Sequence, residues 1–228
     1  ETLIRPPTIT IQGNPATVTA VFSPDDLKTY KGVHTMSDLD VEGPVLFTVA
    51  FENVHGLAGT SITDDGTGSG LGSFTTNSSS VEYDRQDPTL TAVSITTDNV
   101  GYPTYAKEGS IITLAFTAAN TENLLADPTV TILTKAADVS GSGASWTATY
   151  TAVTGDAEGT VEFTIDFFDY AGNAGTQVDA IVSGSGVIFD ETVPTLTPVS
   201  ITSDNTNAPA GTLAMVGNVI TISIVADN

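Results

Sequence analysis

The sequence predicts an all-β protein built from tandem β-sandwich repeats, and two observations support this prediction. The first is an internal repeat: residues 84–99 return as residues 190–205, with eleven identities in sixteen positions at an offset of 106. The second is a hydrophobic period of two, seen where Ile112, Leu114 and Phe116 alternate with threonine and alanine. Because successive side chains of a strand point to opposite faces, this alternation places one face in a core and the other in water.

The repeat extends beyond this segment and divides the chain into three parts. Residues 159–172 have an earlier counterpart in residues 43–56, and residues 128–132 match residues 7–11. The chain therefore opens inside one repeat, runs through a second and stops inside a third. The predicted domains are a partial repeat that lacks its first strands at 1–83, a complete repeat at 84–189, and the first strands of a third repeat at 190–228.

Strands are predicted along the complete repeat wherever apolar and polar residues alternate. After the set at Ile112, the alternating apolar residues are Val130 and Ile132, then Trp146, Ala148 and Tyr150, then Val161, Phe163, Ile165 and Phe167. Turn signals separate these strands at Ser140–Gly143 and Tyr170–Asn173. No window has the spacing of three and four residues that a helix requires. About seven short strands in roughly 105 residues are typical of a β-sandwich.

One turn and its surroundings resemble a known family. Asp169–Asn173, with the sequence Asp-Tyr-Ala-Gly-Asn, follows a Val-x-Phe-x-Ile strand and precedes the Pro-Thr motif at Pro194 and the segment Ser200–Asn205. This pattern resembles the bacterial Ig-like repeats of large surface adhesins and similar extracellular proteins. The resemblance covers essentially the whole chain and implies tandem immunoglobulin-like β-sandwich repeats of about 105–120 residues. The first repeat departs from the pattern, since Asn53 replaces Asp169.

The chain is strongly acidic, with 27 acidic residues against 6 basic ones and a net charge of −21. Nucleic-acid binding draws its affinity from lysine and arginine that neutralise phosphates, so nucleic acid and anionic membranes are not expected partners. Dense carboxylates suit either the capture of a hard cation such as calcium or a solvated acidic coat. No apolar run approaches the roughly 18 residues that a membrane-spanning helix needs.

The sequence contains no pattern that indicates catalysis. Cysteine is absent, which excludes disulfides, zinc–thiolate sites and a thiol nucleophile. His34 and His55 are the only histidines, and they lie in a region without a Gly-x-Ser-x-Gly nucleophile motif. The glycine-rich loop Thr63–Gly72 lacks the lysine of a phosphate-binding loop. We therefore expect the protein not to be an enzyme.

The connection between repeats is the best candidate for a metal site. In an Ig-like sandwich, the connection into the first strand lies at the same end as two of the loops, so carboxylates from all three would converge and would repel one another unless a cation bridged them. The candidate calcium ligands are Asp84, Asp87, Asp127, Asp169, Asn173 and Asp190. In the later connection Val193 replaces Asp87, which predicts weaker binding there. The alternative is that Asp169–Asn173 is a hairpin turn in which the aspartate caps its own backbone.

One modification motif is present. Asn77 begins an Asn-Ser-Ser sequence, which is a glycosylation acceptor if the protein is secreted by a eukaryote.

These observations predict a non-enzymatic structural region of an extracellular or cell-surface stalk, fibre or filament. The resemblance implies an extender or stalk region that is often rigidified by calcium. Its expected partners are further copies of the same repeat, in the same chain or in neighbouring subunits. Since Asn228 corresponds to Asn120 and Glu1 to Glu122, one hypothesis is that strand donation between subunits completes the open repeats. The alternatives are a ligand-binding adhesin module and an accessory module of a secreted polysaccharide-active enzyme.

Overall fold

The computed structural model describes residues 6–21, 29–64, 79–119, 124, 128–206, 209 and 212–227. These residues form strands and loops without an α-helix, so the prediction of an all-β fold is confirmed. Within these ranges, no helix has the length and apolar character needed to cross a membrane. The strands are β1 (Thr8–Ile11), β2 (Asn14–Pro15), β3 (Thr17–Ala20), β4 (Tyr30–Val33), β5 (Gly43–Pro44), β6 (Phe47–Ala50), β7 (Ile62–Asp64), β8 (Glu82–Tyr83), β9 (Leu90–Thr97), β10 (Tyr105–Ala106), β11 (Ile111–Ala118), β12 (Thr129–Ile132), β13 (Lys135–Ala136), β14 (Asp138–Ser142), β15 (Ser145–Thr151), β16 (Gly159–Thr160), β17 (Phe163–Asp166), β18 (Ile188–Phe189), β19 (Thr195–Ser203) and β20 (Ile220–Asp227).

The described residues divide into two compact units. The first comprises those up to Pro88 together with Leu124 and Phe167–Thr176, and the second comprises the others.

In the second unit, the strands from β9 to β18 form several sheets. One sheet has four strands in the order β14-β15-β11-β9, and another has three in the order β13-β12-β17. A smaller sheet, β10-β18-β16, contains a parallel pair between β10 and β18. This arrangement is compatible with a β-sandwich.

The core of the second unit follows the predicted period of two. Along β11 the side chains of Ile112, Leu114 and Phe116 are at most 2% exposed, while the threonines and alanine between them are half-buried. Val130 and Ile132 of β12 and Phe163 and Ile165 of β17 are buried in the same alternating way. Burial of such side chains is the main favourable contribution to folding. The single tryptophan, Trp146, is 6% exposed and donates its indole N–H to the carbonyl of Gly143 at 2.8 Å.

The hairpin of β19 and β20 also belongs to the second unit. Its strands pair antiparallel, with Val199 opposite Ile224 and Ile201 opposite Ile222. The peptide bond between Thr197 and Pro198 is cis, and the register shifts between Leu196 and Val199. Unlike β9 and β11, the hairpin exposes nearly all of its side chains.

The first unit repeats part of this pattern in the same register. In β1 and β6, Thr8 lies opposite Ala50 and Ile9 opposite Val49, as Thr129 lies opposite Asp166 and Val130 opposite Ile165 in β12 and β17. The sheet has the order β2-β1-β6-β7, and β3-β4 and β5-β8 form separate pairs. Among the described residues from 8 to 83, only Asp40 is buried. The apolar side chains of this unit's strands are half-buried at most.

Candidate functional site

The predicted ligand Asp169 caps a turn in the first unit. Its Oδ1 accepts the backbone N–H groups of Gly172 and Asn173, both at 2.8 Å, and its Oδ2 accepts the side-chain amide of Asn173 at 2.8 Å. Gly172 has φ of 97°, which a glycine adopts without strain. Asp169 is 3% exposed, and both of its oxygens are engaged by N–H donors. This is the geometry of the capped hairpin turn that the sequence offered as the alternative to a calcium site. A cation would have to share these two oxygens with the N–H donors.

The same turn occurs earlier in the chain with an amide in place of the carboxylate. Asn53 Oδ1 accepts the backbone N–H of His55 at 2.9 Å and that of Leu57 at 3.0 Å. The backbone also closes the turn in the same way, since Asn53 N donates to Leu57 O and Asp169 N to Asn173 O. One neutral oxygen is therefore sufficient to cap this turn.

Three of the predicted ligands lie together at the connection that begins at Asp84. Asn173 Nδ2 donates to the backbone carbonyl of Asp84 at 3.3 Å as well as to Asp169. The Asp84 carboxylate accepts the backbone N–H of Gln86 at 2.9 Å, which forms an Asx turn. Asp87 is exposed to solvent.

The other predicted residues belong to the later connection or lie outside the described residues. Asp190 forms the equivalent Asx turn in the later connection, accepting the backbone N–H of Thr192 at 2.9 Å. Asp127 and the glycosylation candidate Asn77 lie outside the described residues. Across the described part of the chain, no cluster of three or more Asp, Glu, His or Cys side chains could hold a metal ion. Calcium binding thus stays a prediction.

A glutamate that the sequence analysis missed fixes the later connection. Glu158 Oε1 accepts the backbone N–H of Glu191 at 2.9 Å and the hydroxyl of Thr192 at 2.8 Å. The hydroxyl of Thr192 and then the N–H of Glu191 lower the pKa of Glu158, against a smaller opposing effect of burial. Glu191 in turn accepts the N–H of Gly155 at 3.3 Å.

The earlier connection is held by the equivalent glutamate. Glu42 accepts the backbone N–H of Arg85 at 3.3 Å through Oε1 and the side-chain amide of Gln86 at 3.1 Å through Oε2. The Arg85 guanidinium lies 3.5 Å from the Glu42 carboxylate and donates to the Asp38 carbonyl at 2.6 Å. Glu42 and Glu158 each directly precede the glycine that begins a strand, so a Glu-Gly pair recurring at an offset of 116 is the sequence signal.

A buried carboxylate also anchors a corner in each repeat. In the complete repeat, the Asp156 side chain accepts the hydroxyl of Tyr150 at 3.0 Å and the backbone N–H of Val153 at 2.9 Å. Burial raises the pKa of Tyr150, and its hydrogen bond to Asp156 raises it further. Asp156 is 7% exposed.

In the first repeat, His34 takes the place of the tyrosine. Its Nε2 lies 3.1 Å from both oxygens of Asp40. Asp40 also accepts the backbone N–H of Ser37 at 2.7 Å, the Ser37 hydroxyl at 3.1 Å and the Asn14 amide at 2.8 Å. The Ser37 N–H bond lowers the pKa of Asp40 against the opposing effect of burial, and the His34 bond lowers it further.

This serine, histidine and aspartate do not have the arrangement of a nucleophile and its base. In such a triad the histidine lies between the serine and the acid. Here the hydroxyl of Ser37 and the ring of His34 both bind Asp40. The cluster therefore resembles the Tyr150–Asp156 corner and not a proton-transfer chain.

An apolar groove lies in the first unit. It has a volume of about 200 Å³, and its walls include Ile9, Ile11, Val45 and Phe47. Each of these side chains has a buried counterpart in the complete repeat.

No protein-family model matches the chain. Searches of the curated proteins and of the solved structures found no match either.

Proposed function

We propose that this chain is a non-enzymatic structural repeat region of an extracellular or cell-surface stalk, fibre or filament. Its units are Ig-like sandwich repeats, and its partners are further copies of the same repeat. Calcium at the earlier connection would add rigidity within this proposal, through Asp84, Asp87, Asp169 and Asn173.

The sheet order of the complete repeat supports the Ig-like class. If its main strands are lettered in chain order, β9, β11, β14 and β15 become A, B, D and E, and their sheet has the order D-E-B-A. Strands β12 and β17 become C and F and pair in the second sheet. An Ig-type sandwich divides its strands in the same way, with A, B, E and D in one sheet and C, F and G in the other.

The observation that carries the proposal is the recurrence of the glutamate clamp. Glu42 and Glu158 each hold the second and third residues of the connection that leaves their own repeat, through one backbone N–H and one side-chain donor. A flexible tether needs no such contacts. A recurring clamp anchors the start of each connection to its own repeat, which supports a role in a periodic stalk or fibre.

Single-molecule force spectroscopy on the 228-residue chain tests this proposal. We expect residues 84–189 to unfold in one discrete event that releases about 350 to 380 Å of extended chain, less the folded length. The variant pair Glu42→Gln and Glu158→Gln should soften the chain at low extension without removing this event. Smooth extension without a discrete event would contradict a role in transmitting force or setting distance.

A second candidate, a ligand-binding adhesin module, is favoured by one observation. Phe168 and Tyr170 are 52% and 63% exposed, on the turn that Asp169 caps. Exposed aromatic side chains are common anchors at binding interfaces. Loss of attachment to a surface in the double variant Phe168→Ser with Tyr170→Ser, at unchanged stability, would favour this candidate over the structural one.

A further inference from the structure

The two connections between repeats carry opposite charges at equivalent positions. Each begins with an aspartate that forms an Asx turn, Asp84 in the earlier connection and Asp190 in the later one. The next residue is Arg85 in the earlier connection and Glu191 in the later one. The backbone N–H of each of these two residues donates to the clamp glutamate of its own repeat. The two clamps therefore share a hydrogen-bonded frame and differ in the charge that lies beside the glutamate.

In the earlier connection the clamp contains an ion pair. Arg85 Nε lies 3.5 Å from Oε1 of Glu42, and Arg85 Nη1 donates to the carbonyl of Asp38 at 2.6 Å. The side chains of Glu42 and Arg85 are 28% and 46% exposed, so water and ions reach both of them. An ion pair at this degree of exposure adds a modest stabilisation that salt screens. Added salt should therefore weaken the earlier clamp.

In the later connection the clamp lies among like charges. The carboxylate of Glu191 accepts the N–H of Gly155 at 3.3 Å, three residues before Glu158. Glu108 accepts the hydroxyl of Thr154, the neighbour of Gly155, at 2.7 Å. Within the described part of the chain, no basic side chain forms an ion pair with Glu158 or Glu191. These carboxylates repel one another, and salt screens repulsion as it screens attraction. Added salt should therefore strengthen the later clamp.

We infer that the two connections respond to ionic strength in opposite directions. Salt weakens the glutamate clamp of the earlier connection and strengthens that of the later one. The Debye length falls from about 30 Å at about 0.01 M salt to about 3 Å at about 1 M, which spans the distances between these charges. The relative firmness of the two connections thus changes with the surrounding salt. This inference rests on the proposed structural function, since it concerns the regulation of the clamps that support it.

Hydrogen exchange of single backbone amides, followed by NMR on the 228-residue chain, tests this inference. The amides of Arg85 and Glu191 are the reporters because each one donates to its clamp glutamate. Sodium chloride is raised from about 0.01 M to about 1 M at constant pH, with a chelator present to exclude calcium. We expect the protection of the Arg85 amide to fall about two- to fivefold and that of the Glu191 amide to rise by up to the same factor.

Two other amides serve as controls in the same spectra. Asp40 N donates to the carbonyl of Ser37, and Asp156 N donates to the carbonyl of Val153. These bonds occupy equivalent places in the corners of the two repeats and join neutral backbone groups. Their protection should change alike in the two repeats as salt rises. They therefore report any general effect of salt on stability, which is subtracted from the response of the clamps.

Reciprocal substitutions test whether the charge beside the glutamate sets the response. Arg85→Glu gives the earlier connection the charge of the later one, and Glu191→Arg does the reverse. Each should reverse the sign of the salt response at its own amide and leave the other amide as in the unaltered chain. Arg85→Gln and Glu191→Gln are the matched neutral variants, and they should remove most of the response without reversing it. Every variant keeps the backbone N–H that is measured.

Three outcomes would overturn the inference. The first is a change of the Arg85 and Glu191 amides in the same direction in the unaltered chain, and the second is no change in either. The third is a salt response that stays the same in Arg85→Glu and Glu191→Arg, since the charge at these positions would then not determine it. A discrete unfolding event under force without opposite salt responses would leave the proposed function intact. Opposite salt responses in a chain that extends smoothly would do the reverse.

Discussion

The first repeat and the complete repeat share their hydrogen-bonded turns and corners and differ in their cores. The corner is built from His34 and Asp40 in one and from Tyr150 and Asp156 in the other. The pairing register of the two central strands is also the same. Yet the apolar residues of those strands are buried in the complete repeat and half-buried in the first.

The difference separates local from non-local determinants of this fold. Turn caps, corners and the central strand pair each join residues of a single repeat, so they form in both repeats. Burial depends on a second layer of strands, and in the complete repeat β9 and β11 belong to that layer. The described part of the first repeat therefore has the same paired strands without the closely packed core that gives most of the stability of the complete repeat.

The largest expected effect comes from truncating one core side chain in each repeat. Phe163→Ala removes a ring that is 5% exposed and should cost about 3–5 kcal/mol of unfolding free energy, while Phe47→Ala should cost well under half of that. Denaturant unfolding followed by the fluorescence of Trp146, the only tryptophan, reports on the complete repeat. Its transition should shift in the first variant and stay in place in the second. Equal shifts would mean that the two repeats unfold together.

The corner of the complete repeat should give the next largest effect. Tyr150→Phe removes the hydroxyl that donates to both oxygens of Asp156 and should cost about 1.5 kcal/mol, as for hydrogen bonds to charged groups. Trp146 fluorescence again gives the unfolding midpoint. Tyr105→Phe is the control, since Tyr105 is 46% exposed. An equal loss in both variants would indicate that the Tyr150 hydroxyl has no special part in the corner.

Calcium should distinguish the two connections. A site with a dissociation constant of about 1 mM would stabilise the folded chain by about 1.4 kcal/mol at about 10 mM calcium. Thermal unfolding with calcium and with chelator measures this shift. Asp87→Asn should reduce it because the variant removes a predicted carboxylate ligand from the earlier connection. The later connection, where Val193 occupies the equivalent place, should contribute less to the shift. A midpoint that does not move would exclude the predicted site and leave Asp169 as a turn cap alone.

The sequence predicted the strands well because their signal is periodic. The alternation at Ile112–Phe116 and Phe163–Ile165 corresponds directly to alternating burial. The internal repeat at residues 84–99 and 190–205 also located the hairpin of the third repeat, whose strands pair in the register of the second. Periodicity reports which face a side chain is on. It does not report whether anything covers that face, as the exposed Ile222 shows.

The polar sites were harder to predict because they depend on which chain segments meet. Asp40 lies in the alternating acidic series Asp38, Asp40 and Glu42, where nothing in the local pattern distinguishes a buried member from solvated ones. Only the fold brings His34 and Asn14 to it. Likewise, the hydrogen bonds of Glu158 are made to a connection more than thirty residues later in the chain, so the local sequence does not indicate them.

Acid should weaken the later connection within a limited range of pH. The pKa of Glu158 is lowered in the folded chain from its ordinary value of 4.5, so its stabilising contribution is fully present above that value and is lost as the pH falls through the lowered pKa. Glu158→Gln should flatten the dependence of the unfolding midpoint on pH below 4.5. The control is Glu162→Gln, an exposed position near Glu158 in the chain. If both variants keep the full acid dependence, the clamp contributes little to stability.

The smallest effect is expected where the repeats build the same two-residue hairpin from different residues. Leu133 and Thr134 have φ of 50° and 64°, and their counterparts Gln12 and Gly13 have 49° and 75°. Both turns have positive φ at both positions, which is costly for a β-branched residue and not for glycine. Thr134→Gly should therefore raise the unfolding free energy of the complete repeat by about 0.5 kcal/mol, since relief of strain exceeds the added chain entropy. At Gly13 an added Cβ would meet no atom within 4 Å, so the reverse change, Gly13→Thr, should destabilise the first repeat mainly through its backbone. A loss of stability in Thr134→Gly would show that the side chain of Thr134 stabilises the turn by more than its backbone strain costs.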